Sequence, residues 1–294
     1  AYLVEKWANI ILEEARAEIG CFYPHESAEG LVGKRAIKEE EGWIPVGYLW
    51  ARTIPCQNPA CGAEIPLIKQ FWLAKKKNKR IAYRPIVDRA SETVDFELLE
   101  DADAIQAANF DPSEGTVSRG NARCLVCGQV TKAGETRRLA REGLMGERMI
   151  AVIFHHPDQF GKRYRLMTAW DKEVFDAAMS YLDEKLATWP YMEEPLPSEK
   201  LPPDGTLGFR VNKYGMLRWE KLFNPRQQLA MMTFLGKLKS VYSTLYDNCE
   251  QLLRMISRGS ELETDSLARA VVGYLAIILD RLADKNASLV MWNV

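Results

Sequence analysis

The sequence has 294 residues, 47% of them apolar, with 39 Lys and Arg against 40 Asp and Glu. That is enough apolar content for a sizeable core in one or two packing units, and the near-neutral balance leaves any polyanionic partner to local patches. No apolar run approaches the ~18–20 residues that span a bilayer, and acids and bases run through the N-terminal segment where a signal peptide would be apolar. The six cysteines are too few for a disulfide-stapled secreted module, so the sequence reads as cytoplasmic, in a reducing compartment.

Residues 2–19 carry Leu3, Trp7, Ile10, Ile11 and Ala15 on one helical face, and Gly20 stands where a C-terminal cap belongs. A stretch punctuated by Gly and Pro runs to Pro45, and 46–54 reads as a strand ending at Cys56. Residues 67–74 and 80–86 read as a strand pair joined by the polar turn 75–79. From Glu92 to Glu114 the chain holds eight acidic residues and neither Lys nor Arg, the composition of a short helix and a solvated loop. Residues 148–156 and 162–168 read as strands. His155 and His156 are adjacent on the first, point to opposite faces and read as structural.

Asp171 can cap a helix over 172–188, which stops before Pro190, and the prolines between 190 and 208 mark a linker. Asn224 as N-cap and Pro225 as first helical residue open a helix to about Ser257, with Leu229, Met232, Leu235, Leu238, Val241, Leu245, Cys249, Leu252 and Ile256 as its stripe. Gly259 ends it, and Thr264 caps a second helix with Leu267, Val271, Leu275, Ile278 and Leu282 inward. Two long helices joined by a short loop predict an antiparallel hairpin. The chain starts at Ala1 within one helical pattern and ends at Val294 after another, so both ends read as cut from a larger protein.

Four cysteines form two close pairs, Cys56-Gln-Asn-Pro-Ala-Cys61 and Cys124-Leu-Val-Cys127, each followed by glycine (Gly62, Gly128). A structural zinc ion needs four borderline-soft ligands in a tetrahedron, and a sharp turn supplies two at a time. Glycine after the second cysteine permits positive φ, so that backbone N–H groups can face the thiolates. The spacing predicts one structural zinc held by Cys56, Cys61, Cys124 and Cys127, with no open position for catalysis. The 62 residues between Cys61 and Cys124 exceed the ~15–20 of compact ribbons and must form an insertion between the two knuckles. Cys21 and Cys249 read as small core residues.

The expected fold class is therefore α+β, a zinc-ribbon module with β-hairpins plus a C-terminal antiparallel helical hairpin. Four segments follow. Residues 1–45 are an N-terminal helix and connector, 46–147 the ribbon with its long basic and acidic insertion, 148–215 a small α/β segment with a Pro-rich linker, and 216–294 the helical hairpin.

Two basic runs flank the knuckles. Lys69, Lys75, Lys76, Lys77, Lys79, Arg80, Arg84 and Arg89 face one acid, Asp88, with Phe71, Trp72 and Tyr83 interleaved. Arg119, Arg123, Lys132, Arg137, Arg138 and Arg141 face Glu135 alone. Either run by itself reads as a solvated hairpin tip. Gathered on one metal-bound module they make a phosphate-contacting surface, in which Trp72 or Tyr83 is available for stacking. The nucleic-acid candidates are Lys69, Trp72, Lys75, Lys76, Lys77, Lys79, Arg80, Tyr83, Arg84, Arg119, Arg123, Arg137 and Arg138, and the acidic stretch 92–114 can neutralise part of the patch. The sequence contains no P-loop, dinucleotide fingerprint, H-E-x-x-H or nucleophile elbow. Phe234-Leu-Gly236 and Leu201-Pro-Pro-Asp204 are poor matches to the cofactor and target-amine loops of amino-group methyltransferases, so no catalytic residue is assigned.

The segment Leu49-Trp-Ala-Arg-Thr-Ile-Pro-Cys-Gln-Asn-Pro-Ala-Cys-Gly-Ala-Glu-Ile-Pro-Leu67, then Phe71-Trp-Leu-Ala-Lys-Lys-Lys77, resembles the adenine-specific DNA methylases that contain a zinc ribbon. Gly115-Thr-Val117, Cys124-Leu-Val-Cys-Gly128, Asn224-Pro-Arg-Gln-Gln-Leu229 and Leu279-Asp-Arg-Leu-Ala-Asp-Lys-Asn286 extend the likeness over most of the chain, and residues 50–61 are its specific part. The resemblance implies methyl transfer from S-adenosylmethionine to adenine N6, with the target base flipped out of the duplex. It implies DNA as partner and a position between the cofactor-binding and catalytic motifs of a full-length protein. S-adenosylmethionine would bind a catalytic region on the same or a partner polypeptide. Only the four cysteines carry over residue by residue. The rival expectation is a non-catalytic, zinc-stabilised protein–protein interaction module.

Overall fold

Two runs rich in β-formers organise the first half of the chain. Ile44–Pro55 (β1) and Gly146–His156 (β9) pair antiparallel, with Ile44 opposite His155 and Thr53 opposite Gly146. Pro45 has no N–H to give the ladder, and the register slips between it and Gly47. The run Met149–Phe154 is buried without a break, as an apolar stretch on a strand covered on both faces must be. Glu64–Leu67 (β2) and Gln159–Leu166 (β10) complete a four-stranded sheet in the order β10-β9-β1-β2. A computed structural model describes residues 1–24, 42–255 and 261–287, and the account below concerns those.

A second sheet comprises Trp72–Lys76 (β3), Lys79–Asp88 (β4) and Thr93–Leu99 (β5), all antiparallel. This corrects the expected pair 67–74 and 80–86, because Leu67 ends β2 in the other sheet. The acidic stretch is also more than helix and loop. In β5, Val94, Phe96 and Leu98 alternate with Asp95 and Glu97, a period-two pattern that the high acid content masked. Ala102–Ala107 (α2) follows, with Asp101 accepting the Ala104 N–H at 2.7 Å as N-cap. Val117–Ser118 (β6), Asn121–Arg123 (β7) and Val130–Thr131 (β8) form a small meander before Ala133–Arg141 (α3).

The second structural class is helical: Tyr2–Ile19 (α1), Ala169–Ala187 (α4), Pro225–Ser240 (α5), Tyr242–Met255 (α6) and Glu261–Asn286 (α7). Asn224 and Gln227 form a reciprocal capping box at the start of α5, with bonds of 3.0 and 2.8 Å. The single helix expected from 224 to 257 is broken at Val241 into α5 and α6, so the two-helix hairpin becomes three helices packed with α1. Thr264 does not start a helix but lies buried inside α7. Thr168 rather than Asp171 precedes α4; the Asp171 carboxylate accepts the Thr168 N–H at 2.7 Å from within the first turn. Gly20 has right-handed φ and begins a 3-10 turn instead of a left-handed cap. Ser257 and Gly259 lie outside the described residues.

The chain divides into a β unit (described residues 42–172 and 201–217) and a helical unit (1–24, 173–200 and 218–287), which run across the boundaries expected after 45, 147 and 215. Among the described residues no helix is long and apolar enough to cross a membrane.

Candidate metal centre and basic surface

The end of β1 delivers Cys56, and the chain turns back at once, because the Cys56 N–H donates to Ala63 O and the Cys61 N–H to Asn58 O, both at 2.9 Å. The Asn58 side chain tightens the turn by accepting the Ala60 N–H at 3.1 Å. The second turn has the same logic: Cys124 N–H to Gln129 O at 2.9 Å and Gly128 N–H to Cys124 O at 3.0 Å. Gly128 has φ +79°, the left-handed conformation that the sequence predicted there. Gly62 differs. Its φ is not positive, and its N–H instead donates to Glu92 Oε2 at 3.0 Å.

These turns bring the four sulfurs within 4.8 Å of one another, with Cys56–Cys127 at 3.6 Å and Cys61–Cys124 at 3.9 Å. Sulfurs about 2.3 Å from a central ion define a tetrahedron with edges of about 3.8 Å, so the cluster has the dimensions to hold a metal ion such as zinc. Cys56, Cys61 and Cys124 are buried with Ile54, Ile65, Ala122 and Leu139 in a small core, while Cys127 is exposed at its rim. Burial pushes the Cys56 thiol up to about 12, and the neighbouring thiols add to the effect. At Cys61 the Ala63 N–H favours the thiolate, but burial and the other thiols outweigh it and the net shift is upward. The Gln129 N–H holds Cys127 down, to about 6. Four sulfurs this close repel one another as thiolates, and a cation among them relieves that repulsion.

Neither His155 nor His156 joins the cluster. His155 is exposed, and His156 is buried edge-on against Trp43, 5.4 Å between ring centres. Cys249 is fully buried in the helical unit, whereas Cys21 is exposed and is not a core residue.

The two knuckles are linked through backbone. The Val117 N–H donates to Ile68 O at 3.0 Å, the Ile68 N–H donates to Thr116 Oγ1 at 2.8 Å, and the Arg123 N–H donates to Thr116 O at 2.8 Å. Gly115 makes this crossing possible, since a Cβ there would lie 2.1 Å from Ile68 O.

The structure sorts the expected nucleic-acid residues into two groups. Trp72 and Tyr83 are 9% and 3% exposed, so neither offers a ring face for stacking. Trp72 donates its indole N–H to Ser113 Oγ at 3.1 Å and lies under the Lys75 ammonium, while Tyr83 packs on Phe71 and Phe96. Arg84 is paired with Glu97, and Arg138 with Glu135 and Glu142 on its own helix. Arg137 is half-buried. The acidic stretch thus neutralises part of the basic set, with Asp95 also pairing Arg148 at 2.8 Å.

Lys69, Lys75, Lys76, Lys77, Arg80, Arg119 and Arg123 are exposed. In the β3–β4 hairpin Lys75 stands opposite Arg80 and Lys76 opposite Lys79. Burial, with the charge of Lys76 added, holds Lys79 below the usual lysine value. A further basic run on β10, Lys162, Arg163 and Arg165, was not singled out from the sequence. Its signal was available in three cations within four residues. Comparison with protein-family models, curated proteins and solved structures finds no match to this chain.

Proposed function

We propose that this chain is the zinc-ribbon, DNA-contacting or target-recognition region of an S-adenosylmethionine-dependent adenine-N6 DNA methyltransferase, with methyl transfer carried out by residues outside it. Cys56, Cys61, Cys124 and Cys127 hold one structural zinc, which fixes the two knuckles and supplies no open coordination position. The observation that carries DNA contact is the pairing of like charges across the β3–β4 hairpin, Lys75 with Arg80 and Lys76 with Lys79. Like charges directly opposite one another destabilise a strand pair, so this placement of charge is a cost to the hairpin itself. A phosphate backbone would turn that repulsion into attraction and release counterions on binding. The adenine-N6 activity rests on the sequence resemblance alone.

The zinc assignment expects one zinc per chain by elemental analysis of freshly purified protein, and much less than one refutes it. For DNA, purified protein should bind duplex weakly with affinity falling steeply as salt rises. Lys75→Ala, Lys76→Ala and Lys77→Ala together should flatten the slope of log affinity against log salt by about two to three units. An unchanged slope removes the hairpin from the interface.

A second reading has its own observation. On α7, Tyr274, Ile277 and Ile278 are 63%, 56% and 50% exposed, a run of apolar side chains suited to a protein partner. Salt-insensitive association that is lost on changing these three residues, with no DNA binding, would favour an interaction module.

A further inference from the structure

Trp72 and Tyr83 cannot stack on a base, yet the β unit does present an aromatic ring to solvent beside its basic hairpin. Phe160, the second residue of β10 just after the β9–β10 turn, is fully exposed, at 108% of its reference area. A ring with no packing partner contributes nothing to the core. The next residue brings it to the basic surface: a Cβ on Gly161 would lie 3.8 Å from Lys79 Nζ. Lys79 donates to Lys162 O and lies over the Tyr164 ring at 5.5 Å, so the β3–β4 tip and the β9–β10 tip stand side by side. Between them runs an open groove of about 690 Å³, lined among others by Lys79, Lys162, Arg163, Tyr164 and one acid, Glu100.

We propose that Phe160 stacks on an unpaired DNA base while the phosphates beside it run along the Lys79–Lys162–Arg163 groove. The inference rests on the DNA-contacting reading above and adds the kind of DNA preferred: single-stranded, or duplex with a base displaced. An exposed ring flanked by cations is the combination by which proteins bind unpaired strands, the ring taking the base face and the cations the backbone. A fully paired duplex offers no base face to Phe160, whereas an opened one does.

The test measures binding of a single-stranded oligonucleotide carrying 2-aminopurine, whose fluorescence falls on stacking. Wild type should quench the probe and bind it more tightly than the matched duplex. Phe160→Ala should weaken binding about tenfold and abolish the quench, and Phe160→Trp should restore both. The slope of affinity against salt should be the same in all three, because no phosphate contact is removed. If Phe160→Ala binds and quenches like wild type while the triple lysine variant weakens binding, the stacking role falls and DNA contact stands. If wild type binds neither strand nor duplex, both fall.

Discussion

In the helical unit one cluster of buried residues, including Trp7, Ile11, Leu238, Leu245, Cys249, Val271 and Leu275, runs through α1, α5, α6 and α7, and a second, with Ile19, Ala178, Leu182, Leu229 and Met232, joins α1, α4 and α5. The β unit also divides its interior, with one cluster around Phe71, Leu73 and Ile150, one around Trp72, Leu99 and Ile105, and one around the cysteines. Packing along helical stripes spreads the first unit's stability over many contacts. Strands of two to twelve residues with turns between them cannot do so, and the β unit relies on constraints at single points. The crossing at Gly115 and the knuckles at the four cysteines are the clearest of these. The two units should therefore respond differently to single substitutions.

The largest effect is expected at Gly115. A Cβ there would meet the Ile68 and Lys69 backbones at 2.1–2.4 Å, distances that no side-chain adjustment can relieve. Gly115→Ala should cost about 4 kcal/mol or more and remove amide-exchange protection from the Ile68 and Val117 N–H groups. A cost below about 1 kcal/mol would show that the crossing segment shifts freely, and the contrast between the units would go with it. Leu245→Ala, in the helical cluster where Leu245 is fully buried, should cost about 3 kcal/mol by transfer and cavity terms. Denaturant unfolding measures both, and the comparison sharpens if the helical unit loses stability without losing protection at any one site.

The cysteine site was the most legible part of the molecule, because ligand chemistry fixes residue type and turn geometry fixes spacing. Both can be read from Cys56–Cys61 and Cys124–Cys127. The buried strand at Met149–Phe154 and the capping box at Asn224 were legible for similar reasons, a continuous apolar run and a local hydrogen-bond signature. What escaped depended on tertiary context. Trp72 and Tyr83 lie among cations in sequence, but strand alternation does not say what will cover each face; the other sheet covers Tyr83, and Ile105 and Ala104 of α2 cover Trp72. Arg84 looked available until β5 brought Glu97 opposite it, whereas Glu135 and Glu142, the partners of Arg138, stand three residues before it and four after and were legible in the sequence. The break at Val241 left no sequence mark, since the apolar spacing continues through it and the Val241 and Leu245 N–H groups still donate four residues back. Phe160 shows the converse: a lone aromatic at the start of β10 gains meaning only when Lys79 is found near it.

The smallest effect concerns a polar tie inside the helical unit. Glu18 on α1 accepts from Lys185 on α4 and from Lys237 on α5, the latter at 2.8 Å, and Tyr181 donates to it at 3.3 Å. Burial disfavours the Glu18 carboxylate, but the bonds from Lys185 and Lys237 outweigh it, so its carboxyl titrates below the ordinary glutamate value of 4.5. Lys237 is correspondingly raised, chiefly by its bond to Glu18. A carboxyl with a depressed native pKa contributes stability that is fully present above its unfolded value and lost as pH falls through the folded one. The Glu18 contribution should thus be complete at neutral pH and should disappear below about pH 4. Glu18→Gln, which keeps the shape and removes the charge, should lower stability at pH 7 by about 1–2 kcal/mol, with the difference from wild type closing toward pH 3. Should the gap persist unchanged at pH 3, the side chain's packing rather than its charge joins α1 to α4 and α5. Glu18 would then belong with the apolar contacts of the helical unit, and its contrast with the point constraints of the β unit would sharpen.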